Sequence, residues 1–301
     1  MQTDRKKKRY WSMARKQSLA GWLFLTPATL LIVALCFFPM FSALLTSFKR
    51  GKPTAMVWSD PLWRNYLRMM KDKVFLQSVS NTFTYLIIQV PIMLILAVIF
   101  ATLLNNRDLK CRGLFRTCIF LPCATGLVAY SMIFRTLFTY DGMVNNVLLR
   151  FGLISEAINW LNDPVYAKAV IIIGLIWRWT GYNMVFYLSA MQSIDYSIYE
   201  AARIDGANSV QQMFKITIPL LKPIILVTAI MSTNGTLQLF DESVNLTRGG
   251  PGNMTITMSH YIYNTMFTKN PNFGYAAAMS FVILIMVAIL AAIQMKVGDK
   301  R

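Results

Sequence analysis

Charge is scarce in this 301-residue chain and acid is scarcer still: charged residues make up 14% of it, with 13 Asp and Glu against 30 Lys and Arg. A water-soluble domain carries about a quarter charged residues, so this thin polar complement excludes an ordinary soluble globule. His260 is the single histidine, and Cys36, Cys111, Cys118 and Cys123 form no CxxC pair, so neither a zinc site nor a disulfide framework is indicated. No stretch reads GxxxxGK[ST], the loop that cradles nucleotide phosphates, which excludes ATP hydrolysis by this polypeptide through that route. Acids inside the apolar runs are few, which argues against an ion-coupled secondary transporter. No nucleophile, metal pair or acid/base pair stands at membrane depth, which argues against a membrane-embedded enzyme.

What is abundant is apolar surface: 55% of residues are hydrophobic and the mean hydropathy is +0.46. Six runs are long enough to cross a bilayer as helices, at 19–47, 78–104, 117–138, 169–191, 223–240 and 275–295. The first is too long for a signal-peptide core of about 7 to 15 residues and reads as an uncleaved span. Pro39, Pro91 and Pro122 fall inside these runs and mark expected kinks. An even number of crossings puts both termini on one side. The larger number of Lys and Arg on that side, seventeen, assigns the termini, and the loops at 105–116 and 192–222, to the cytoplasm. The formal charge of +17 is thus explained by topology and implies no nucleic-acid partner. The reading is an all-α integral membrane protein, with a basic cytoplasmic tail over 1–18 and one transmembrane domain over 19–301. Arg5 to Arg9 in the tail are expected on anionic lipid, each charge contributing about 1 kcal/mol near such a surface. The first external loop departs from the charge bias with seven basic residues between Lys49 and Lys73. Its stretch Trp58 to Leu67 is expected along the membrane interface, with Arg64 and Arg68 among headgroups.

The loop between the fourth and fifth spans has its own signals. Ser197 with Glu200, and Ser209 with Gln212, fit the capping box that starts a helix. Gly206 between them suits the left-handed residue that ends one, so a helix–turn–helix is predicted, with Pro219 stopping the second helix and Pro223 opening the next span. Small Ala201, Ala202 and Ala207 let another protein come close, while Glu200, Arg203 and Asp205 supply charge for register.

These residues resemble the EAA loop of ABC-importer permeases: Glu200, Ala201, Ala202, Gly206, Ile216 and Pro219 stand at that family's spacing, with Ile218 where Leu is usual. The string from Glu200 to Ala207 is most similar to the carbohydrate-uptake branch, the MalF-like and glycerol-phosphate-like permeases, and Leu246 to Gly252 resembles that branch's last external loop. The resemblance implies a bacterial or archaeal cytoplasmic membrane, a MalG-like second permease, an extracytoplasmic solute-binding protein and a cytoplasmic ATPase dimer that uses ATP and Mg, with no cofactor held by this chain. It implies import of a carbohydrate by alternating access, with glycerol phosphate or a similar small solute as the alternative cargo.

Polar groups at membrane depth are the candidates for the solute path. Asn234, Gln238, Asp241 and Asn245 recur at helical spacing and would share one face of a fifth helix that continued that far, there to bond sugar hydroxyls or to pack against the second permease. Tyr182 or Phe240 would offer an aromatic platform. Arg178 lies deep in the fourth run and calls for a counter-charge, from Asp241 or Glu242, in a structural ion pair. Asn81, Gln89 and Asn183 are single amides that often only tie helices together.

Overall fold

The computed structural model describes residues 13–51, 54–106, 109–268 and 271–298; Arg5 to Arg9 lie outside them. The chain runs through α1 (Met13–Ile32), a π turn (Val33–Phe37), α2 (Phe38–Ser47), a short antiparallel hairpin (Lys49–Arg50 with Val57–Trp58), α3 (Arg64–Met69), α4 (Lys73–Asn105), α5 (Arg112–Ala124), α6 (Leu127–Leu137), α7 (Met143–Arg150) and α8 (Pro164–Met191). It continues through α9 (Tyr196–Ile204), α10 (Ser209–Gln212), a second π turn (Met213–Thr217), α11 (Ile218–Leu237), α12 (Asp241–Asn245), α13 (Met258–Phe267) and α14 (Phe273–Gly298). The all-helical membrane architecture read from the sequence is therefore present.

Among the described residues, five continuous stretches are long and apolar enough to cross a membrane: Ala20–Ser47, Lys73–Asn105, Pro164–Met191, Ser209–Leu237 and Phe273–Gly298. The sixth expected span is not a single rod. Its halves, α5 and α6, meet at a 98° bend. Pro122 lies in the last turn of α5, and Thr125 and Gly126 are extended, so the helical hydrogen bonding lapses between the two halves.

Pro219 does not stop a helix either. Ile218 N–H bonds the Met213 carbonyl five residues back, and Phe38 N–H does the same to Val33. A proline follows each, Pro219 and Pro39. A π turn opens the ladder just where a residue without N–H must enter, so both prolines ride inside helix that would otherwise break. Pro91 sits inside the unbroken 33-residue α4.

Helix starts are capped where the chain emerges from the bundle. Asp72 accepts from Val74 and Phe75 N–H at 3.0 and 3.2 Å to begin α4, and Asp163 does likewise for Val165 and Tyr166, with Pro164 at the first helical position of α8. Asp72 also receives the hydroxyls of Tyr261 on α13 and Tyr275 on α14, at 2.7 and 2.8 Å. Burial pushes this carboxyl up, but the hydrogen bonds from Tyr261, Tyr275 and the two amides outweigh it and hold it below its ordinary range.

Because lipid tails are as apolar as the side chains, helix association here rests on close packing and internal hydrogen bonds rather than on transfer from water. The α4–α8 pair shows how. Ala97 and Ala101 of α4 are fully buried against Met184, Tyr187 and Leu188 of α8. On α8, a Cβ at Gly181 would collide with the Ile119 carbonyl of α5, and one at Gly174 with the Tyr130 hydroxyl of α6. Tyr187 and Thr228 share a hydrogen bond of 2.7 Å that ties α8 to α11, a contact of about 1 kcal/mol in such a setting. In the first loop, α3 buries Asn65 and Met69 and exposes Arg64, Leu67 and Arg68. Asn65 donates to the Ser47 and Lys49 carbonyls at 2.7 and 2.9 Å.

Candidate functional site

Two sites occupy different levels of the bundle: an exposed helical turn at the end where α8 leaves it, and a cavity among α4, α8, α11 and α12.

The turn has the geometry its sequence implies, with shifted caps. Asp195, not Ser197, caps α9, accepting from Ser197 N–H at 3.0 Å. That bond, with a second from the Ser197 side chain, holds the Asp195 carboxyl below its usual value. Asn208, not Ser209, caps α10: its side chain accepts from Gln211 N–H at 2.8 Å while the Gln211 side chain accepts from Asn208 N–H at 2.9 Å. The cap must be extended, and Asn208 is while Ser209 is already helical, so the reciprocal box sits one residue earlier. Gly206 is left-handed at φ +79. Ala207 N–H bonds the Ala202 carbonyl at 2.9 Å and Gly206 N–H bonds Arg203 at 3.0 Å, the paired bonds of a Schellman ending. Glu200, Ala201, Asp205 and Gly206 are exposed, and Ile204 is 87% exposed. Arg203 folds back, its guanidinium donating to the Tyr196 hydroxyl at 2.6 Å. Tyr199 reaches Thr217 at 3.1 Å, so α9 is anchored to the base of the fifth span, in which Pro219 sits.

The cavity has a volume of about 310 Å³, at the lower end of ligand pockets. Gln89 of α4, Trp179, Tyr182 and Asn183 of α8, Gln238, and Asp241 and Glu242 of α12 all line it. The Trp179 and Tyr182 rings stand edge to face at 5.8 Å. Gln89 is fixed by the Thr236 hydroxyl at 3.2 Å, and Asn183 donates to the Trp179 carbonyl at 3.0 Å. Gln238 donates to Asn234 at 2.5 Å. Glu242 follows the end of the fifth span and is 3% exposed; burial pushes its carboxyl up to about 6, against the pull of its own amide and Arg178, with Asp241 adding to the rise.

The expected polar stripe is therefore only half realised. α11 ends at Leu237 and α12 begins afresh at Asp241, so the helical phase is lost: Gln238 and Asp241 line the cavity, while Asn234 and Asn245 do not. Phe240 turns away, edge-on to His260 and tilted against Tyr263, so that of the two expected aromatics Tyr182 lines the cavity, with Trp179 beside it. The face of α11 that does meet the cavity carries Thr228, Ser232 and Thr236, whose four-residue spacing is the signal that could have found them.

Arg178 is buried at 7% exposure, but its Nε and Nη1 have no hydrogen-bond partner, so the expected bonded ion pair is not formed through them. Its guanidinium lies over the Tyr130 and Trp179 rings at 5.3 and 5.6 Å, behind the cavity wall, and acts on Glu242 only through its field. His260, the single histidine, belongs to a helix. It sits on α13, 6% exposed, with Nδ1 2.8 Å from Ser243 Oγ, and burial lowers its tendency to protonate. Asn81 braces the loop that leads into α13, donating to the Ile256 carbonyl at 2.9 Å.

Comparison with known proteins places this arrangement. The chain is 50% identical over 292 residues to the lactose transport system permease protein LacF of Rhizobium radiobacter, covering 96% of this chain and 97% of that one. It shares its fold, at TM-score 0.80 and 21% identity over 95% of this chain and 96% of the other, with a bacterial ABC transporter involved in import of the acidic polysaccharide alginate. The alginate transporter in complex with an alginate pentasaccharide-bound periplasmic protein matches at TM-score 0.75 and 21% identity, over 94% of each chain. Residues 66–299 match the family described as binding-protein-dependent transport system inner membrane component, and it is to this family of membrane permeases that the chain belongs.

Proposed function

We propose that this chain is one of two permease subunits of an ATP-driven importer that carries a sugar or oligosaccharide into the cytoplasm by alternating access. The observation that carries this reading is the half-identity, over nearly the whole length, to a lactose permease. The cavity chemistry supports it: amides, hydroxyls and two aromatic rings are the groups that bond sugar hydroxyls and cover the apolar face of a pyranose.

The Glu200 to Ala207 turn is the coupling element. A cytoplasmic ATPase subunit receives it in a surface cleft, with Ala201, Ala202 and Ala207 permitting close approach, Glu200 and Asp205 fixing register, and exposed Ile204 adding apolar contact. ATP and Mg act on that partner. Closure of the ATPase dimer pulls the turn, and the Tyr199–Thr217 bond passes the displacement to the foot of the fifth span. Both termini lie in the cytoplasm, and a solute-binding protein delivers the cargo at the opposite face. The test is uptake of radiolabelled lactose into proteoliposomes containing this chain, its second permease, its ATPase and its binding protein. Uptake that requires ATP supports the reading, and uptake by this chain without an ATPase overturns it.

A further inference from the structure

The fold is shared with an importer of an acidic polysaccharide, so the backbone alone does not dictate the charge of the cargo. Side chains that line the path, those of this cavity among them, are where such a choice is made. Asp241 and Glu242 both line it, at the start of α12, and among the described residues no Lys, Arg or His does. The nearby guanidinium, Arg178, is held behind the wall over the rings of Tyr130 and Trp179. The remaining polar groups at the wall, such as Gln89, Asn183 and Gln238, are neutral and can either donate or accept.

From this lining we propose that Asp241 and Glu242 form a charge filter that admits uncharged saccharides and rejects those bearing a carboxylate or phosphate. The proposal rests on the carbohydrate reading above and narrows it, ruling out glycerol phosphate as cargo. A hydroxyl entering the cavity finds carboxylate acceptors, which form the stronger class of hydrogen bond. An anionic group finds those same oxygens as like charges and no cation to pair with. At a separation of about 5 Å and an effective dielectric of about 20, one such repulsion lowers affinity on the order of a hundredfold. Glu242 is buried, so salt screens it less than it screens the half-exposed Asp241.

The experiment uses the complete transporter, both permeases with the ATPase, in lipid nanodiscs without the solute-binding protein, so that selection by that protein does not enter. Binding of lactose is compared by saturation-transfer NMR with binding of the same disaccharide oxidised to a carboxylate at C6 of its galactose ring. Wild type is expected to prefer lactose by about tenfold or more, and D241N/E242Q to gain affinity for the acid until the two differ by about threefold or less. Equal binding of the acid by wild type overturns the filter, as does a double variant that assembles and keeps the wild-type preference. Should the double variant fail to assemble, the wild-type ratio and that of D241N decide in the same way. Failure of lactose and its acid alike to bind, with no saccharide stimulating ATP hydrolysis, overturns the carbohydrate reading itself and the filter with it.

Discussion

Replacing Gly206 tests the proposed coupling role of the turn at its most constrained point. The residue is left-handed at φ +79, and a Cβ built on it meets nothing within 4 Å, so the penalty for a larger residue is conformational rather than steric. For Gly206→Ala that penalty is about 1–2 kcal/mol, equivalent to roughly a five- to thirtyfold shift away from the folded turn. Gly206→Asn should cost less, because its short side chain tolerates this region. Gly206→Pro demands φ near −65° and deletes the N–H that bonds the Arg203 carbonyl, a loss of about 3 kcal/mol or more. Since α9 has only nine residues, that is enough to unwind its end. The assay is saccharide-stimulated ATP hydrolysis by the assembled transporter, with membrane insertion followed separately by immunoblot. The expected order of stimulation is wild type, Asn, Ala and then Pro, with Pro at background and insertion unchanged throughout. Wild-type stimulation in Gly206→Pro would refute the proposed role of the turn.

Gln238→Ala and Asp241→Ala should lower uptake while leaving co-purification with the ATPase intact, because both side chains face the cavity and neither approaches α9; loss of assembly would instead point to packing against the second permease. Gly181→Ala should lower the thermal midpoint of the detergent-solubilised protein, since its Cβ would meet the Ile119 carbonyl, and overpacking of this kind costs about 1–3 kcal/mol. Gly113→Ala, with nothing within 4 Å, is the matched control and should leave the midpoint unchanged.

The spans were legible because each is a long run with few charges, and the shape of the helix–turn–helix after the fourth span was legible because Gly206 and the flanking polar capping residues leave few alternative folds. The limits were physical. Pro122 announced a kink, but the 98° bend depends on Thr125 and Gly126 both becoming extended, which no periodic pattern records. Pro219 looked like a stop because the π turn that accommodates it leaves no trace in composition. The caps slipped because Asp195 and Asn208 compete with the serines close after them, and only backbone conformation decides between them. The polar stripe failed at a single point, the end of α11 at Leu237. Beyond it Gln238 and Asp241 reach the cavity by a turn rather than by helical phase. Arg178 suggested a bonded pair, while its aromatic neighbours come from α6 and from its own helix, a juxtaposition that only tertiary packing creates.

The most direct measurement is of Ile204→Cys in a background lacking the four native cysteines. Ile204 is 87% exposed at the tip of the turn. A membrane-impermeant thiol reagent should label it in inside-out vesicles and not in right-side-out ones, and a short bifunctional reagent should join it to the ATPase subunit with a yield that changes on adding ATP. Labelling from the outer face, or an absence of any cross-link to the ATPase in the assembled transporter, would contradict the assignment of this turn as the point where ATP hydrolysis is converted into movement of the membrane helices.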